Sequence, residues 1–193
     1  MLNVADYGFT TGGYGFVFKG RHCTELGARL LRYTVNSPEL REYEDEPAGL
    51  PGVLDFGTEL GKREIEITVD IDPNAVEFKR RQSEILTWLK PTTTAGILVF
   101  DDVPDRFYYA KLSGRLVPEQ IGRYGEFRFT MKCTDPFAYG PERIYEEGAL
   151  TTSPFSFALE SEGSEPTPPV IELTNNGAVT INEFTLTIEY ETE

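Results

Sequence analysis

The sequence predicts a mostly β fold with one α-helix, built as a β-sandwich or strongly bent sheet. Three observations predict it. From Arg63 to Ile71, the residues Ile65, Ile67, Val69 and Ile71 alternate with Glu64, Glu66, Thr68 and Asp70, the period of a strand buried on one face. From Phe127, the residues Phe127, Phe129, Met131 and Cys133 alternate in the same way with Arg128, Thr130 and Lys132. Between these strands one stretch changes period: after Asp72-Pro73, the residues Ala75, Phe78, Ile85 and Leu89 recur at helical spacing.

Taken in order, the first strand is Gly15 to Lys19 and the second Ala28 to Val35, punctuated by Asn36-Ser37-Pro38. Residues 39–60 then show little periodicity. They hold Glu39, Glu42, Glu44, Asp45 and Glu46 against Arg41, followed by AGLPGVLDFG. A structureless stretch of this length inside a domain is functional or disordered, and an arm over about 38–60 that reaches a neighbour is one reading. After the Arg63–Ile71 strand, Asp72 supplies an N-cap and Pro73 a first helical turn, so the helix runs over about 73–89 and Pro91 ends it. Lys79, Arg80 and Arg81 fall on its outer side, as a solvated face or a contact for an acidic neighbour. Two aromatic-rich strand patterns flank an Asp-Pro turn in Ile97 to Leu116. There Phe107, Tyr109, Lys111 and Ser113 oppose Tyr108, Ala110, Leu112 and Gly114, so both faces meet protein and the strand is central or at an interface.

Length and charge set the organisation. A chain of 193 residues, 39% hydrophobic, suffices for one sizeable core or one domain with a small appendage. The net charge of −14 is uneven, because Arg143 is the last basic residue and residues 144–193 hold ten acids. The expected division is therefore a domain over 1–143 and, over 144–193, an acidic linker with short strands. SEGSEPTPPV reads as linker, and Val170 to Thr174 and Phe184 to Tyr190 as strands around Asn175-Asn176-Gly177. So few strands do not bury a core alone. The acidic balance argues against gripping duplex DNA or an anionic membrane, which require basic patches. No run of 18 apolar residues and no signal peptide are evident, so a soluble protein made in a cytoplasm is expected.

Chemistry is weakly signalled. Asp101, Asp102 and Asp105 suggest paired carboxylates or a calcium loop, but adjacency does not place two carboxyls across a sugar bond. A calcium loop needs alternating ligands and a glycine at the bend, so a polar turn is the expected reading. His22 and Cys23 adjoin in sequence, and neighbours in a strand point to opposite faces. Cys23 and Cys133 form no metal-binding spacing and read as ordinary reduced strand residues. Gly12, Gly13 and Gly15 precede no helix and make no phosphate loop. No catalytic, cofactor or metal residue is expected.

The order of features resembles a known family. F-x-F-K-G, an arc ending in LPG, the I-x-I-x-V strand, a helix ending ILTWL, then ILVFDDVPDRFYYAKLSG and FRFTMKCTDPFAYG are similar to the distal tail proteins of long-tailed (siphovirus-type) phages of Gram-positive hosts. The resemblance covers about Phe16 to Gly140. It implies a ring-forming β-sandwich domain with a helix and a long extended hairpin, six copies closing into a hexameric ring at the tail tip. Such a ring joins the tail tube to a tail-associated, tape-measure or baseplate protein and lets DNA pass without specific binding. It implies a non-enzymatic virion protein assembled in the host cytoplasm, with no membrane and no cofactor. Two departures stand out. LPGVLDFG replaces a proline-glycine-charged turn, and only the opening strands of a carbohydrate-binding-like carboxy-terminal sandwich are present, as in a chain cut short or a short variant. The alternative is a carbohydrate-binding β-sandwich for host adsorption, with Trp88, Tyr108 or Tyr124 stacking on sugars, although Trp88 beside Leu86 and Leu89 reads as core.

Overall fold

A computed structural model describes residues 14–49, 51–71, 78–90, 92–121, 124–145, 148–150, 152–161 and 163–189, with side chains of 78, 117–121 and 124 excluded. The chain divides into two compact units, Met1–Tyr145 and Glu146–Glu193. In the first, the elements are β1 (Phe16–Phe18), β2 (Arg21–His22), a 3-10 helix (Cys23–Leu26), β3 (Ala28–Val35), β4 (Leu40–Asp45), β5 (Leu54–Leu60), β6 (Arg63–Ile71), α1 (Phe78–Trp88), β7 (Gly96–Phe100), β8 (Val103–Ile121) and β9 (Tyr124–Cys133).

Seven strands form one antiparallel sheet in the order β2-β1-β7-β8-β9-β6-β3, and β4 pairs with β5 in a separate hairpin. The predicted alternation is the packing pattern. Ile65, Ile67, Val69 and Ile71 of β6 meet Phe127, Phe129, Met131 and Cys133 of β9 in one core, with Ile65 opposite Met131 and Ile67 opposite Phe129. A β-bulge between Leu30 and Arg32 shifts the phase of β3. Ala28 and Leu30 therefore point inward, Leu31 faces solvent, and Tyr33 and Val35 return to the core.

The sheet bends far enough to bring its ends together. Tyr33, on the last strand of the order, stacks on Phe100, on the third, with centroids 3.7 Å apart and an interplanar angle of 9°. Phe16 of β1 likewise lies 6.4 Å from Phe129 of β9. The result is the predicted sandwich-like body, with the apolar faces of one bent sheet opposed. Burying such rings contributes about 1.5–3 kcal/mol each.

Helix α1 covers one opening of this core. Ile85 and Leu89 are buried, and Trp88 stacks on Phe16 at 5.6 Å while its indole N–H donates to the Phe18 carbonyl at 2.9 Å. Asp72, Pro73, Ala75 and Pro91, which carry the predicted ends, lie outside the described residues. Arg81 departs from the expected outer face. Its guanidinium lies over Gly27, where an added Cβ would sit 1.4 Å from Nη1. Gly27 has φ 67° and caps the 3-10 helix, so a residue without a side chain both turns the backbone and admits the arginine.

Two further expectations are corrected. Cys23 sits in the 3-10 helix rather than in a strand, because His22 caps a tight turn there and ends β2. Among the described residues of the second unit no strand forms. Phe184, Leu186 and Ile188 alternate as predicted but are exposed, as is Val170 of the other predicted strand, since a strand exists only against a partner ladder; Tyr190 lies outside the described residues. The Asn175 turn does form: Gly177 N donates to Asn175 Oδ1 at 2.9 Å.

Candidate assembly interface

Within the first unit, the arm is a hairpin that the body leaves uncovered. It prolongs the β3–β6 ladder: Val35 pairs with Ile65, Asn36 N donates to the Glu64 carbonyl at 3.1 Å, and Glu39 N donates to the Lys62 carbonyl at 2.9 Å. The ladder resumes with Leu40 opposite Leu60 and Arg41 opposite Glu59. The stretch that lacks periodicity in sequence is thus a two-stranded hairpin rather than a loop. Every residue of β4 and β5 is exposed. No side of the hairpin has an interior, so selection for an alternating pattern is absent. Gly61 marks the root, where a Cβ would lie 3.2 Å from the Glu39 carbonyl and from Arg41 Nε.

The arm's surface is both acidic and apolar. Seven carboxylates between Glu39 and Glu59 stand against Arg41. Leu40, Leu54, Phe56 and Leu60 are exposed, Phe56 by 69% and Leu40 by 59%. An isolated two-stranded hairpin is marginal in water, and this one exposes large apolar side chains on both strands. An open hollow of about 280 Å³ at the root is lined by Asn36, Ser37, Glu39, Lys62 and Glu64. Lys62 donates to Glu64 at 2.9 Å, and this hydrogen bond raises the lysine above its ordinary value.

The predicted turn acids are engaged separately. Asp101 accepts from His22 Nε2 at 3.1 Å, and Asp102 accepts from the Tyr33 hydroxyl at 2.7 Å. His22 Nδ1 accepts from Thr24 N, so Nε2 carries the proton that it donates to Asp101. The turn therefore fastens both ends of the bent sheet, β2 through Asp101 and β3 through Asp102. Burial, then the hydrogen bond to Asp102, raises the Tyr33 hydroxyl. Asp105 stays exposed. No cluster of three or more metal-type ligands occurs among the described residues.

Histidine and cysteine are not brought together as a nucleophile pair: His22 is turned to Asp101, while Cys23 is buried. Burial pushes the Cys133 thiol up to about 11 and also raises Cys23. Because the thiolate is the reactive form, neither cysteine should react with a neutral-pH thiol reagent until the protein unfolds. Stoichiometric labelling of the native protein at the rate of a free thiol would contradict this.

Of the aromatics considered for sugar stacking, Trp88 and Tyr108 pack against the core, and the Tyr124 side chain lies outside the described residues. On the outer side, Phe107 and Tyr109 share the face that the alternation gave them, and what sequence reasoning missed is that Tyr139 docks on it. Val17 pairs with Val99 and Val99 with Phe107. Phe107 stacks on Tyr139 at 5.5 Å, and Tyr109 meets Tyr139 edge-on at 5.2 Å. The segment after β9 is pinned there by two backbone hydrogen bonds of 2.9 Å between Phe107 and Tyr139. Asp135-Pro136-Phe137 in the sequence signals only the turn.

Tyr139 donates to Asp135, and that bond, followed by burial, pushes its hydroxyl up to about 12. The folded value lies above the unfolded value near 10. Its contribution to stability is complete below pH 10 and is lost as the pH rises towards 12. A Tyr139→Phe variant should lack that part of the alkaline destabilisation in urea titrations, and an unchanged pH profile would refute the assignment.

The profile of the phage tail protein RIFT-related domain family matches residues 22–133, more than half of the chain. Among solved structures, the chain is similar to the Dit protein of phage SPP1, described as a paradigm of the hub adsorption apparatus in phages infecting Gram-positive bacteria. The identity is 21% and the TM-score 0.59, over 67% of this chain and 53% of that one. The chain thus spans about half the length of that protein. No curated protein matches the sequence. Among the described residues no helix is long and apolar enough to cross a membrane.

Proposed function

Because the chain belongs to the phage tail protein RIFT-related domain family, we propose that it is a distal tail hub, a structural component of the virion at the tip of a long phage tail. Six copies close into a ring that joins the tail tube to a tail-associated, tape-measure or baseplate protein, and DNA passes through its channel without specific binding. The protein works by assembly, without catalysis or cofactor, and is put together in the cytoplasm of the bacterial host. The observation that carries this reading is the β4–β5 arm: a fully exposed acidic and apolar hairpin that prolongs the β3–β6 ladder suits a head-to-tail contact whose rotation closes. The residues from 1 to 143 serve as the ring-forming domain, and residues 144–193 as an acidic linker.

Mass by light scattering, with negative-stain images of the same peak, tests it. The expected result is a hexamer with a central hole, alone or when mixed with tail tube protein. A species that stays monomeric under both conditions would overturn the ring. Host adsorption through sugars gains no support from Trp88 or Tyr108, which are occupied by the core.

A further inference from the structure

The outer face of β8 and β9 carries charge that the described chain leaves unneutralised. Register places Lys111 directly opposite Lys132, and like charges at one cross-strand position are unfavourable. Both lysines are half-buried. Neither takes part in an ion pair among the described residues, and Glu64, across from Lys132 on the other side, is held by Lys62 at 2.9 Å. The alternation of β8 puts Phe107 and Tyr109 on the same face as Lys111, and Tyr109 remains 41% exposed. The face therefore offers two ammonium groups beside an aromatic ridge.

The arm carries the complement of both features: carboxylates and exposed leucine and phenylalanine side chains. Its own body leaves it uncovered. We propose that the outer face of β8 and β9 receives the arm of a second copy of this chain, with arm carboxylates on Lys111 and Lys132 and arm apolar groups on Tyr109. This deepens the ring reading and rests on it. Duplex DNA fits the face less well, because the ridge of Phe107, Tyr109 and Tyr139 offers nothing to a phosphate backbone, whereas the arm brings apolar side chains as well as carboxylates. Aromatic rings at the centre and ion pairs at the side suit a protein partner.

The test mixes heavy-isotope-labelled and unlabelled full-length protein, couples lysines to carboxylates with a carbodiimide, and finds mixed-isotope peptides by mass spectrometry. Links from Lys111 or Lys132 to carboxylates of residues 39–59 are expected. The Lys111→Glu, Lys132→Glu double variant should melt like the parent yet assemble at least about tenfold more weakly, since like charges across an interface cost several kcal/mol. Mixed-isotope links from the arm to Lys19 or Lys79 instead would overturn this surface and leave the ring intact. Absence of mixed-isotope links from the arm would overturn the ring's arm contact as well. If the double variant assembles normally but loses affinity for duplex DNA, the face serves a polyanion and the proposal is wrong.

Discussion

Phe16→Ala should lower the free energy of unfolding by about 3–5 kcal/mol, the cost of removing a large buried ring and leaving a cavity. Phe16 is fully buried. Its ring meets Trp88 at 5.6 Å, Phe100 at 6.2 Å and Phe129 at 6.4 Å, so one side chain from a three-residue strand joins α1, β7 and β9. Cavity relaxation is limited there, because the three neighbours belong to three separately anchored elements. The aromatic pairs add about 0.5–1.5 kcal/mol each beyond their area, which places the change at the upper end of the range. Phe16→Leu keeps most of the volume and should cost roughly half as much or less. Urea unfolding followed by tryptophan fluorescence reads both, since Trp88 stacks on the altered residue. A midpoint shift worth less than about 1 kcal/mol for Phe16→Ala, at unchanged slope, would mean that the stack is not central to the core.

Legibility in the sequence followed burial. Strands β6 and β9 were readable because each has one wet and one dry face, and Glu64 and Glu66 mark the wet face as clearly as Ile65 and Ile67 mark the dry one. The helix was readable from Ile85 and Leu89 for the same reason. Trp88 read correctly as core from its apolar neighbours, and Asp101 and Asp102 read correctly as a turn, though not as the point that ties His22 and Tyr33. That tie, and the stacking of Tyr33 on Phe100, depend on how far the sheet bends, which no local pattern encodes. The arm's strands were invisible because both faces meet solvent in the single chain. In the second unit the opposite occurred: Phe184, Leu186 and Ile188 alternate, but alternation states which face would be buried and not whether a partner strand exists. The Lys111–Lys132 pair needs register, since the two residues lie in different strands and become neighbours only through the β8–β9 ladder.

Removing Pro38–Leu60 should leave a folded body and abolish the ring. The deletion joins Ser37 to Gly61 just beyond the Val35–Ile65 pair, so the β3–β6 ladder ends in a short turn instead of an arm. Every residue of β4 and β5 is exposed, so the body loses only the root contacts of Glu39 and Arg41 with Gly61 and Lys62, and its stability should change by no more than about 1 kcal/mol. Assembly loses far more. Leu40, Leu54, Phe56 and Leu60 would each contribute up to about 1.5–3 kcal/mol if covered by a neighbour. Even after ordering costs, their loss at each contact of the proposed ring should weaken association by more than about a hundredfold, because each 1.4 kcal/mol is a factor of ten. Circular dichroism and thermal melting report the body, and light scattering reports the ring. A deletion variant that unfolds would place the arm in the core and remove the basis for an intersubunit contact. One that still forms rings would show that closure runs through the body alone, and would separate the hub reading from the arm that supports it here.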